Sequence, residues 1–228
     1  MTTFTPGTFH ALATGVLAFA ALAGSAAAQQ TSPILNTVEV QALVENATPE
    51  NHGRLSAHFA ALGDRYDVEA RRHASMARTG NPNRAGAGMN EHCRRLSALN
   101  AESAATLREL ATHHQALAGG SASVAPYGGE RFEKGEGAPD PTAAELDALA
   151  RAANTRAEHR GLQEYLLTLA TRYTAEANEH NDFARRYVGT RIAWGTARHE
   201  RLRDIAREAA REAEAAALMH GQMADIAR

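Results

Sequence analysis

The sequence predicts an all-α protein: an up-down four-helix bundle made of two tandem homologous helical hairpins, each preceded by a short helix. Three observations point there. Ala, Arg, Glu and Leu, all strong helix formers, dominate the chain beyond residue 28. Apolar positions recur at 3–4 spacing and never alternate with a period of two. Gly and Pro gather at the ends of long uninterrupted stretches: Gly80 to Gly88, Gly119 to Pro139 and Gly189 to Gly195.

Residues 1–28 read as an export signal. Residues 11–23 are a continuous apolar run, and Ala26-Ala27-Ala28 supplies small residues ahead of Gln29. No Lys or Arg precedes the run, which departs from the usual pattern. The expectation is an exported protein, periplasmic or extracellular, with no stable membrane insertion once the signal is removed. In such a compartment a lone cysteine, Cys93, has no intrachain disulfide partner.

The elements follow in order. A short helix is expected at 33–46, opened by Ser32-Pro33 and closed by Asn46. Thr48-Pro49-Glu50 gives a cap, a first-turn proline and a first-turn acid for a helix over 49–79. A second long helix spans 90–118 and completes the first hairpin repeat, 29–118. Residues 119–139 are expected to be a flexible Gly-rich connector. The second repeat, 140–228, has a short helix at 141–153 opened by Asp140-Pro141. Long helices follow at 155–188 and 196–227.

The two repeats match in sequence. His52-x-x-Leu55 returns as His159-x-x-Leu162. Arg65-Tyr66-x-x-Glu69-Ala70-x-x-His73 returns as Arg172-Tyr173-x-x-Glu176-Ala177-x-x-His180, at a constant offset of 107. In the second helix of each repeat an offset of 106 fits the apolar positions better. It pairs Cys93 with His199 and His114 with His220; an offset of 107 would use His92 and His113 instead.

The histidines lie on the heptad seam. Positions 52, 59, 66 and 73 are His, Phe, Tyr and His; positions 159, 166, 173 and 180 are His, Leu, Tyr and His. Residues level in an antiparallel hairpin share an index sum. His52 with His114 and His73 with Cys93 both give 166; His159 with His220 and His180 with His199 both give 379. An up-down bundle would then gather these into two layers. One holds His73, Cys93, His180 and His199, with Glu69 and Glu176 a turn away. The other holds His52, His114, His159 and His220.

Imidazole, thiolate and carboxylate converging in a helical core point to a transition metal, copper or zinc, bound or buffered without catalysis. Met89, His92 and His113 are alternate ligands. Glu-x-x-x-His is one residue longer than the Glu-x-x-His of di-iron bundles, which argues against an oxidase. Non-covalent haem is a further option; covalent attachment is excluded because no Cys-x-x-Cys-His exists. The non-metal alternative is an interaction or stress protein whose buried histidines make its core pH-sensitive. With 24 Lys+Arg against 26 Asp+Glu, a nucleic-acid partner is not expected. The long connector leaves open an exchange of hairpins between chains, giving a homo-oligomer.

Overall fold

The computed structural model describes residues 34–79, 86–119, 148, 153–188 and 193–227. All of them fall in one compact unit, Ser32–Arg228. They form five helices and, among the described residues, no strand. The expected export signal, the connector beyond Gly119 and most of the expected second short helix lie outside them.

Helix α1 (Thr37–Glu45) starts later than Ser32-Pro33 suggests. Asn36 caps it, accepting from the Glu39 N–H while Glu39 accepts from the Asn36 N–H. It buries Val40, Leu43 and Val44. Helix α2 (Pro49–Thr79) begins at the anticipated proline, with Thr48 Oγ1 accepting from the Asn51 N–H at 3.2 Å. Helix α3 (Gly86–Leu117) begins four residues before the expected start. Extending a helix adds one backbone bond per residue, so Gly86 and Gly88 cost only about 1 kcal/mol each and are carried along. Beyond its end, Gly119 takes a φ of +82°. Helix α4 (Arg156–Tyr187) has a capping box of Thr155 and Glu158, and α5 (Trp194–Ile226) follows.

The helices associate in pairs. α2 packs along α3 and α4 along α5, and the two pairs join through α3 and α5. Hydrogen bonds set the register: Ser56 Oγ donates to the Ala111 carbonyl at 2.8 Å, and Ser97 Oγ to the Ala70 carbonyl at 2.8 Å. The seam residues Leu55, Phe59, Leu96, Leu107, Leu162, Leu166 and Leu169 are at most 2% exposed. Helix α5 buries mainly alanines, among them Ala206, Ala209, Ala213 and Ala216, so its backbone can lie close to its neighbours.

The direction of the pairs differs from the up-down expectation. Along α3 and α5, Glu102 meets Arg201, Glu109 meets Arg198 and His113 meets Trp194. The α5 number falls as the α3 number rises, so these helices are antiparallel. Between α2 and α4, Arg65 meets Glu176 at 3.6 Å and Glu69 meets Arg172 at 3.3 Å, while Tyr66 donates to Glu176. These pairs also run in opposite order. The shared layers required α2 parallel to α4; long, oppositely charged side chains hold them antiparallel instead. α1 packs on α2 and reaches α4 through Thr37, which donates to Glu179, and through Glu45, which pairs with Arg186.

Two glycines in α5 make a discriminating pair. A Cβ on Gly195 would sit 2.6 Å from the buried Tyr187 ring, whereas one on Gly221 would meet only the amide end of Gln163. Gly195→Ala is expected to cost roughly 1–3 kcal/mol. In Gly221→Ala the Gln163 amide can swing aside, and helix propensity favours the change by up to about 1 kcal/mol. Thermal unfolding of the two variants checks this; equal effects would contradict it.

Candidate functional site

Three of the four level pairs meet ring to ring. His52 Nδ1 lies 3.0 Å from His114 Nδ1, His159 Nδ1 lies 3.0 Å from His220 Nδ1, and His180 Nδ1 lies 3.2 Å from His199 Nδ1. Their ring centroids are 5.2–5.3 Å apart. All six rings are buried, at 9% exposure or less. In a neutral pair one Nδ1 carries the proton and the other accepts it. That assigns opposite tautomers and leaves two Nε2 atoms per pair to be satisfied. The Nε2 atoms of His199 and His220 are buried without a hydrogen-bond partner, while His114 Nε2 is 3.5 Å from the Tyr187 hydroxyl.

Antiparallel packing of the helix pairs spreads the seam along the axis. His199 lies beside Phe59 (5.7 Å between ring centroids), and Phe59 stacks on His114 (5.5 Å). Tyr187 also touches His199, at 4.9 Å. So the His180–His199 pair neighbours His52–His114 across Phe59, and the expected four-residue layers are not formed. Among the described residues no three His, Cys, Asp or Glu side chains converge to hold one ion. Phe59 sits on the heptad already read, and Tyr187 is the next step after His180; extending that heptad would have found it.

The fourth position holds His73 and Cys93, both 0% exposed. Neither ring nitrogen of His73 has a hydrogen-bond partner. Glu69, 1% exposed, pairs with Arg72 at 2.9 Å and with Arg172. Glu176 is less buried and faces Arg65 and Tyr66 rather than His180. The alternates resolve by burial. His92 bonds Glu212, His113 stacks on Trp194 at 4.4 Å, and both are only partly buried. The side chain of Met89 lies outside the described residues. His58, not among the expected ligands, is 4% exposed and accepts from the Leu35 N–H at 3.0 Å. Glu212 was also missed, because it lies in an Ala/Glu/Arg run that reads as a solvated face.

Burial sets the proton affinities. It pushes His73, His58 and His220 down to about 4, and His114 and His180 to about 3. His199 falls well below its ordinary value for the same reason, with His180 and His114 adding to the effect. His52 and His159 are lowered as well, again mainly by burial. Burial pushes the Cys93 thiol up to about 12. Burial likewise raises Glu69, but Arg172, Arg72, His73 and Arg65 together bring it below the usual carboxylate range.

At neutral pH the paired histidines of the seam are therefore neutral imidazoles, each pair sharing one proton between its two Nδ1 atoms inside an apolar core. Such groups can bind a metal ion or take up protons. No described helix is long and apolar enough to cross a membrane. Comparison with protein-family models, curated proteins and solved structures finds no match to this chain.

Proposed function

We propose that this is an exported, non-catalytic protein that binds or buffers a transition metal, copper or zinc, at its buried histidine pairs. The observation that carries this reading is the facing of Nδ1 on Nδ1 at 3.0–3.2 Å in three separate pairs. Two ligand nitrogens on one ion, each about 2.0–2.1 Å from it, stand about 3.0–3.3 Å apart at angles from roughly 95° to tetrahedral. An ion would displace the proton shared between the Nδ1 atoms; that proton would move to the bare Nε2 of its own ring, so that both ligating imidazoles stay neutral with an Nε2–H. A haem iron between the rings would need the nitrogens about 4 Å apart, with a flat slot between them. The spacing favours a bare ion.

The same reading takes the two helix pairs as duplicated hairpins that form a four-helix bundle, the second inverted against the first. The matching motifs support this, and so does the reciprocal pairing of Arg65 with Glu176 and Arg172 with Glu69.

Titration of the purified, tag-free chain with Cu(I), Cu(II), Zn(II) and Ni(II) tests the proposal. At least one ion should bind tighter than about 10 μM. Replacing one member of a pair, as in His159→Gln or His180→Gln, should remove the equivalent that pair holds. Absence of such binding for all four ions, or a stoichiometry indifferent to both variants, would overturn it. A second reading, a pH-responsive core, draws on the depressed proton affinities of the same rings and needs no metal.

A further inference from the structure

The fourth step of the seam differs chemically from the other three. It lies 21 residues along α2 from His52 and 21 residues before His114 on α3, so it occupies the same face in the same register. The Ser97–Ala70 hydrogen bond, 2.8 Å, fixes that register one turn away. Where the other steps set imidazole against imidazole, the register here sets the His73 imidazole level with the Cys93 thiol. Met76 follows His73 by three residues, a spacing that puts both on one side of the helix. His73 and Cys93 are 0% exposed and Met76 is 2% exposed.

We propose that His73, Cys93 and Met76 form a separate soft-donor site that takes one Cu(I) ion. The proposal rests on the metal-binding reading of the seam and gives one of its steps a metal preference of its own. The fully buried His73 ring has both nitrogens without a hydrogen-bond partner, and a bound ion would relieve that cost at one of them. Imidazole, thiolate and thioether together are a soft set that favours Cu(I) over harder ions.

Charge balance decides between Cu(I) and Zn(II). Binding breaks the S–H bond and forms an S–Cu bond: Cys–SH + Cu⁺ → Cys–S–Cu + H⁺. The proton leaves to solvent and the pocket keeps its charge. Zn(II) at the same thiol would add one positive charge to an interior where the Glu69 carboxylate is already engaged by Arg72 and Arg172.

The test uses the full chain, reduced and anaerobic, with Cu(I) supplied through a chromogenic Cu(I) chelator. The wild type should take up one Cu(I) that shows a thiolate-to-copper absorption band in the near ultraviolet. Excess Zn(II) should not displace it. Cys93→Ser should abolish the band and one equivalent of Cu(I). Met76→Leu, nearly isosteric and expected to fold, should keep the band but weaken the site about tenfold or more. Circular dichroism establishes that both variants are folded. Unchanged Cu(I) uptake in Cys93→Ser, unchanged affinity in Met76→Leu, or displacement by Zn(II) would each overturn the proposal. His180→Gln, run alongside, separates the two readings. If it loses no metal while the Cys93 band persists, the histidine-pair reading fails. If it loses its equivalent while Cys93→Ser changes nothing, the soft site fails.

Discussion

Lowering the pH from 7.5 to 5.5 is expected to strip several kcal/mol from the stability of the metal-free protein and to bring its acid unfolding up to about pH 5. Burial holds His58, His73, His114, His180, His199 and His220 neutral far below their ordinary value of 6.5. The unfolded chain takes up protons below pH 6.5 that the folded chain refuses. The stabilisation is therefore complete above pH 6.5 and is lost as the pH falls toward the folded values, which are about 3 to 4 for His58, His73, His114, His180 and His220. Each such histidine contributes a slope approaching 1.4 kcal/mol per pH unit. Six of them acting together compare with the whole stability of a domain, about 5–15 kcal/mol. Thermal melts at the two pH values, followed by circular dichroism, measure the effect. Equal midpoints would mean that these rings are not held neutral in the core. A metal bound at the pairs competes with protons, so the loaded protein should withstand acid better.

Glu69→Ala is expected to cost about 3–5 kcal/mol, because it leaves two guanidinium groups without their shared carboxylate in a largely buried setting. Glu69 lies at 2.9 Å from Arg72 and 3.3 Å from Arg172, with its side chain 2% exposed. Its counterpart Glu176 has a side chain 16% exposed, and Glu176→Ala should cost clearly less, on the order of 1–2 kcal/mol. Urea unfolding separates the two. Adding Arg172→Met to Glu69→Ala should recover part of the loss, since an apolar replacement removes a guanidinium whose contact with Glu176 is longer, at 3.9 Å. Equal costs at Glu69 and Glu176, with no recovery in the double variant, would show that the network is not what holds α2 against α4.

The helices and the pairing within each helix pair were legible in the sequence. Heptad spacing fixes which face is buried, and the index sums then fix which residues are level. That is why His52 finds His114, and not His113, at 3.0 Å. How one helix pair lies on the other was not legible. A heptad seam reads the same in either direction, and a long connector permits both. The deciding contacts come from Arg65, Arg172, Glu69, Glu176 and Glu212, and charged residues on a helix normally read as solvated. His58 was obscured for a related reason: its partner is the Leu35 backbone N–H, which no side-chain pattern reveals.

The reciprocal pairing of Arg65 with Glu176 and of Arg172 with Glu69 has the form of a two-fold contact, yet both halves belong to one chain. In a dimer of identical chains every substitution is made twice, so a change that helps one half and harms the other cannot be kept. Within a single chain each substitution falls once. One carboxylate can sink into the interior while its counterpart stays near water. One of four seam steps can exchange an imidazole for the Cys93 thiol while the other three remain histidine pairs. Positions related by such a contact within one chain can thus be tuned independently.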